Sequence, residues 1–500
     1  MHFEIQRNSE ISLSKQIYLS IVDQIRSGFL QEGTQLPSIR TLTKQLKVSL
    51  VTVAKAYKKL EEDGFVTSIQ GKGSFVNPER KKVVNRQPKV SPYNWQLSIQ
   101  DYLPRSQFSR FHQVPEMIQL SSSMIDPRLF PNRFLEQEVQ KIFVHNPRIL
   151  SQYAEVQGDL ELRHEMATYL KRTDITTYPD NILVTNGSQQ GIGLIARTFI
   201  GPDDVVIMEA PTYPGAIDVF RGRGATVLTV PIDKDGMRID ILQSLCDKYK
   251  PKVIYTVPTF HNPTGVITTA KRRRQILDIA QSSNSIIIED DPWNEIYFSK
   301  KPPVPIKSLD DSGHVIYLKG LSKTFAPGCR IGVLVASGSI FNRLLAAKAN
   351  ADLGSPLLTQ KMILPFIKSE KSMEHIKKLR TALKLRRDLV LDLLSKYAPS
   401  EVSWYTPEGG LNLWISLPDW VDTNSILLEA QKKKVTFLPG SACYPVELEN
   451  HHMRLSFSYM SEQELKEGVK VLCHIFHSVI SAKTTHDNSP FFNYSMVPND

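Results

Sequence analysis

In Ser322-Lys323-Thr324-Phe325-Ala326-Pro327-Gly328-Cys329-Arg330-Ile331-Gly332, a lysine stands seven residues before an arginine, soon after the apolar run Val315-Ile316-Tyr317-Leu318. A lysine held at a strand end can condense with an aldehyde, and a nearby guanidinium can clamp a phosphate through paired hydrogen bonds. Further motifs follow other apolar runs. After Val184-Thr185 comes Asn186-Gly187-Ser188-Gln189-Gln190-Gly191, whose backbone amides and hydroxyl at a helix start suit a phosphate; a plain glycine turn is the other reading. Tyr213, in Glu209-Ala210-Pro211-Thr212-Tyr213-Pro214-Gly215, can lay a ring over a flat molecule or simply pack in the core. Asn262, in Thr259-Phe260-His261-Asn262-Pro263-Thr264-Gly265, places an amide at a strand end. Asp290, after Ile286-Ile287-Ile288-Glu289, is a carboxylate that is costly to bury unless paired. A protonated pyridine nitrogen is such a partner. Aldehyde, phosphate and pyridine together describe pyridoxal phosphate. Arg454, in Met453-Arg454-Leu455-Ser456-Phe457, has a fork suited to a carboxylate, with an internal salt bridge as its alternative.

These motifs need a scaffold. Apolar strands at Ile182–Thr185, Val205–Met208, Val253–Thr256, Ile286–Glu289, Val315–Leu318 and Gly332–Val335 alternate with helical patterns from about Tyr102 onward. That alternation predicts an α/β unit with a mostly parallel sheet covered on both faces, its ligands at the carboxyl ends of the strands. Five hundred residues, 41% apolar and 22% charged, fit two or three globular domains. No apolar run approaches the roughly 20 residues of a membrane span, and the first residues lack the apolar core of a signal peptide. Cys246, Cys329, Cys443 and Cys473 match no metal-ligand spacing, so reduced cytoplasmic thiols and no metal are expected.

The charge is uneven. Residues 1–90 hold 15 Lys and Arg against 8 Asp and Glu, so they carry +7 of the chain's net +10. A basic N-terminal fifth suits a polyanion, although a solvated basic face would look the same by charge alone. From Ser12 the pattern predicts three helices and a hairpin. Leu13, Ile17, Ile21 and Ile25 share a face closed by Gly28; Ser38 caps a second helix with Ile39, Leu42 and Leu46 inward; Ser49 caps a third through Glu62, with Val53, Tyr57 and Leu60 inward. Two short strands then bracket Gln70-Gly71-Lys72-Gly73. Helix, turn, helix and wing is a shape that reads DNA through its third helix.

Leu36-Pro37-Ser38-Ile39-Arg40, Val48-Ser49, Ala56-Tyr57, Leu60-Glu61 and Gly71-Lys72-Gly73-Ser74-Phe75-Val76 closely resemble the winged helix-turn-helix of the GntR regulators over about residues 11–77. The resemblance implies DNA contacts from Arg40, Ser49, Thr52, Lys55 and Lys72. Leu50 departs from it, since the family commonly has arginine there; leucine can touch only a thymine methyl. From about Ile118 to His477 the chain is similar to fold-type-I aminotransferases of the kynurenine and α-aminoadipate branch. That likeness implies a smaller α+β subdomain and pyridoxal 5′-phosphate joined to Lys323 as an imine. It also implies the pyridine nitrogen on Asp290, the ring oxygen on Asn262, and Tyr213 stacked on the ring. Ser188, Gln189, Ser322 and Arg330 would hold phosphate, Arg454 an α-carboxylate, and Tyr153 the phosphate of a partner subunit.

Two positions differ from that branch. Trp293 replaces the tyrosine that donates to the ring oxygen, with an indole N–H still able to donate, and Gly320 replaces a serine or threonine on the phosphate. Head and body together resemble the MocR-type regulators of bacteria. The expected organisation is a head at 11–77, a basic linker at 78–101, the aminotransferase-like domain at 102–480 and a flexible tail at 481–500. The expected function is a cytoplasmic, homodimeric regulator of operator DNA that senses an amino acid, an amine or the cofactor itself. The competing expectation is a working aminotransferase with an accessory DNA-binding domain.

Overall fold

The computed structural model describes residues 12–26, 30, 33–46, 48–69, 72–77, 116–447 and 449–487. The chain divides into two compact units, residues 1–101 and 102–500. The expected linker at 78–101 lies outside the described residues.

The first unit holds α1 (Leu13–Arg26), α2 (Ile39–Leu46), α3 (Leu50–Glu62), β1 (Val66–Ile69) and β2 (Gly73–Val76). Ile17 and Ile21 of α1 meet Leu42, Val53, Tyr57 and Leu60 in one core closed by Val66 and Val76. Capping fixes both later helices. Ser38 Oγ accepts from the Thr41 N–H at 3.1 Å, and Ser49 Oγ accepts from the Thr52 N–H at 3.2 Å. The Tyr57 hydroxyl donates to the Pro37 carbonyl at 2.7 Å, which ties α3 to the start of α2. Gly64 takes φ +75° just after α3, where a Cβ would be strained, and turns the chain into the antiparallel wing. Gly28, expected to end α1, lies outside the described residues.

The second unit contains β3 (Ile118–Gln119), β4 (Ile182–Thr185), β5 (Val205–Ala210), β6 (Thr226–Asp233), β7 (Gly236–Met237), β8 (Val253–Thr256) and β9 (Ile286–Asp290). These are followed by β10 (Val315–Gly320), β11 (Gly332–Val335), β12 (Ser403–Tyr405), β13 (Asn412–Ser416), β14 (Val435–Thr436), β15 (Leu438–Pro439) and β16 (His452–Ser456). Eight strands form one sheet in the order β4-β11-β10-β9-β8-β5-β6-β7. From β10 to β6 every neighbour is parallel, while β11 runs against both β10 and β4. The sheet is mostly parallel, as expected, with β6 and β7 as additional strands at its edge. Separate apolar clusters cover its two faces, one around Ile192, Ile195 and Phe220 and another around Leu162, Met166 and Phe366.

A second sheet, β12-β13-β16-β15, is antiparallel throughout. It shares a core with the long helices Lys371–Tyr397 and Glu462–Asp487, and this is the smaller α+β part. The last helix corrects one expectation. Residues 481–487, expected as flexible tail, continue the helix.

Candidate functional site: a cofactor pocket and a winged head

The carboxyl ends of the parallel strands converge on a cavity of about 270 Å³. Lys323, Asp290, Asn262, Tyr213, Ser188, Gln189, Ser322, Arg330, Trp293 and Arg454 all line it. Tyr153 does not. It is 90% exposed, outside the cavity of its own chain.

One wall is built for an anion. Gly187 precedes the helix Ser188–Phe199 with φ +89°, which aims the helix's first amides at the cavity. A Cβ on Gly187 would lie 2.8 Å from an Arg330 guanidinium nitrogen, so only glycine admits that approach. Arg330 donates to the Asn186 carbonyl at 3.1 Å and stands 3.5 Å from Ser322 Oγ. The Gln189 side chain is already engaged, donating to the Gly215 carbonyl at 3.0 Å and accepting from the Tyr213 hydroxyl at 3.0 Å. Its backbone amide and the second N–H of its carboxamide are the donors left for an anion.

The absence of a side chain at position 320 has a local reason. A Cβ on Gly320 would meet Ser188 Oγ at 2.9 Å. The Ser188 hydroxyl fills the space a serine or threonine at 320 would use. Gly320→Ser should therefore push Ser188 aside and weaken pyridoxal phosphate binding by roughly fivefold, the scale of one lost hydrogen bond. A spectroscopic titration of the cofactor measures this, and tighter binding would contradict it.

Asp290, which also lines the cavity, is buried at the end of β9. Its Oδ2 accepts from the Tyr255 hydroxyl at 2.8 Å, while Oδ1 is buried with no partner. Burial raises this carboxyl to about 7, against the lowering effect of the Tyr255 hydrogen bond. An unpartnered buried carboxylate oxygen calls for a cationic N–H donor, and a pyridinium supplies one. The donor set therefore fits pyridoxal phosphate at both ends.

Lys323 Nζ donates to the Ser123 carbonyl at 2.7 Å. Burial, with the charges of Arg454 and Arg330, lowers the ammonium to about 8. Only a neutral amine attacks an aldehyde. Uptake of pyridoxal phosphate by the empty protein should thus speed up about tenfold per pH unit below 8 and level off above it. Stopped-flow absorbance reads this profile; a plateau reached only near pH 10 would show an unperturbed lysine.

Arg454 is buried in β16, where it donates to Asn262 Oδ1 at 2.9 Å and to the Ser121 carbonyl at 2.7 Å. Its Nε has no partner, so donor capacity remains for a carboxylate. Asn262, its Oδ1 engaged, has its amide N–H groups left to face a ring oxygen.

Trp293 corrects the expectation for its indole. Nε1 donates to the Phe260 carbonyl at 2.7 Å, deep in the core, so this N–H is not offered to a cofactor oxygen. Ser122, Ser123 and Met124 also line the cavity, and no motif in the sequence marks them. They follow β3, a two-residue strand too short to leave a periodic signal. Among the described residues Glu449, His451 and His452 form a group with possible metal-ligand spacing, but His451 Nδ1 already pairs with Glu449 at 3.2 Å.

In the first unit Arg40, Ser49, Lys55 and Lys72 are exposed and Thr52 is half-buried. Residues 13–76 match the model of bacterial regulatory proteins of the gntR family, and residues 116–472 match aminotransferase class I and II. The uncharacterized HTH-type transcriptional regulator YisV of Bacillus subtilis is 31% identical over 93% of this chain and 96% of its own length. The chain is a GntR–aminotransferase fusion of the HTH-type regulators. The body of this fusion regulator also aligns with aromatic-amino-acid aminotransferase 1 of Thermococcus litoralis, at 34% identity over 72% of this chain and 88% of that one. In structure it is similar to the kynurenine aminotransferase of Pyrococcus horikoshii, with a TM-score of 0.71 and 33% identity, covering 80% of this chain and 97% of that one. Pyridoxal phosphate is the cofactor of this fold. Among the described residues of the fusion regulator no helix is long and apolar enough to cross a membrane.

Proposed function

We propose that this fusion regulator binds operator DNA through α3 and the wing, and that an amino compound entering the cofactor cavity changes that binding. The observation that carries the reading is the unpartnered Asp290 oxygen facing the same cavity as Lys323 and Arg454, in a chain that begins with a winged head. Bound pyridoxal phosphate supplies an aldehyde for which an incoming amine competes with Lys323.

The chain's own residues do the rest. Asp290 holds the pyridine nitrogen protonated, while the Ser188 and Gln189 amides and Arg330 bind phosphate. Arg454 takes a carboxylate if the effector has one. Ser123 accepts a hydrogen bond from Lys323 Nζ and orients it. Tyr153, exposed on its own chain, reaches the phosphate of a second copy in a homodimer. A protein that reads operators works in the bacterial cytoplasm.

A sensor is favoured over a fast enzyme by Trp293, whose spent N–H leaves the ring oxygen without the hydroxyl donor of the related aminotransferases. The intact set Lys323, Asp290, Asn262 and Arg454 supports the second reading, a working aminotransferase. Steady turnover of an amino acid with an oxo-acid would establish that reading; a single half-reaction without turnover supports the sensor. The deciding experiment is a mobility shift on the DNA upstream of the protein's own gene, with and without pyridoxal phosphate and a panel of amines and amino acids. A shift that responds to the cofactor alone makes pyridoxal phosphate the signal. Footprints that ignore every addition would overturn effector control.

A further inference from the structure

The first turn of α3 contrasts engaged polar groups with exposed apolar ones. Ser49 and Thr52 turn their hydroxyls toward each other, 2.8 Å apart, and Ser49 Oγ also accepts from the Thr52 N–H at 3.2 Å. Between them Leu50 and Val51 are 51% and 61% exposed, and neither joins the core of the head. Two adjacent large apolar side chains left in water mark a contact surface rather than a fold requirement.

What surrounds them narrows the partner. The first turn of α3 has no acidic residue, Lys55 and Lys58 follow on exposed positions, and Arg40 of α2 is exposed as well. Glu61, Glu62 and Asp63 gather at the far end of the helix. The positive end of the helix dipole adds to this field. The apolar pair thus sits within a surface for a polyanion. In the major groove of DNA the one methyl group that bases present is the C5-methyl of thymine, on A·T pairs. Leucine and valine have no donor or acceptor with which to read any other base edge.

We propose that Leu50 and Val51 read thymine methyl groups in the major groove, so that the head selects its half-site by apolar contact rather than by hydrogen bonds at these two positions. This rests on the DNA-binding reading above. Its test separates the two. Full-length protein selects duplexes from a random library, and the recovered duplex is remade with uracil for thymine, which removes only the C5-methyl.

The wild-type protein should bind the uracil duplex about fourfold more weakly for each methyl it touches, the scale of one buried methylene. The double variant Leu50→Ala/Val51→Ala should bind both duplexes equally, with its thermal melting unchanged because both side chains are exposed. Lys55→Ala should weaken both duplexes alike and lower the dependence on salt. Equal affinity of the wild-type protein for thymine and uracil duplexes would overturn the proposal while leaving DNA binding intact. A double variant that changes self-association but keeps the thymine preference would also overturn it, and assign the pair to a protein contact. Recovery of no duplex would remove the DNA-binding reading itself.

Discussion

Lys323→Ala protein, incubated with pyridoxal phosphate and reduced with borohydride, carries no pyridoxyl group, and amino compounds no longer change its DNA binding. Lys323 is the cavity's one lysine among the described residues, so no other amine is placed to substitute. The anion wall of Ser188, Gln189 and Arg330 is untouched by the change, and reversible cofactor binding persists at lower affinity. The winged head has its own core, so it folds and binds DNA as before. Effector coupling in typical systems is worth roughly 5- to 150-fold in affinity, and that whole factor disappears. Peptide mapping after reduction and the mobility shift are the two measurements. A label that survives on another lysine would displace Lys323 from its role.

Arg454→Ala should separate effectors that carry a carboxylate from those that do not. The guanidinium is buried, and a charge-assisted pair formed there is worth more than one at the surface. Losing it should weaken the response to amino acids about a hundredfold, the scale of a truncated buried charge pair. A simple amine should act at nearly its original concentration. The substitution also takes donors from Asn262 Oδ1 and the Ser121 carbonyl, each costing about 1–3 kcal/mol if left dry, so melting must be followed alongside. Equal losses for amines and amino acids, with stability unchanged, would remove Arg454 from carboxylate recognition.

Local signals made much of this molecule legible. The Leu36-Pro37-Ser38 helix start and the Ser49 cap are chemistry between near neighbours, and both formed where their residue types place them. The strands β4, β5, β8, β9, β10 and β11 read clearly because each contains a run of three or four buried or half-buried apolar residues. Strands β6 and β7 did not: exposed Thr226 and Pro231 break the continuity of β6, and β7 is only two residues long. The engagement of Trp293 was invisible for another reason: its acceptor, the Phe260 carbonyl, is a backbone atom 33 residues away. Gly320 looked like a loss until Ser188, from another strand–helix turn, came to lie beside it. The helix through 481–487 was hidden by a polar sequence that gives no apolar face to follow.

Lys323 and Arg330 lie on one short return between β10 and β11, but they grip different things: Lys323 leans on Ser123, and Arg330 on Asn186. A tether that can be undone is therefore separate from the anchor that stays fastened. A visiting amine can release the first without loosening the second. With an amino compound as the proposed effector, the receptor is then reset when the visitor leaves and used many times over on a single molecule of vitamin.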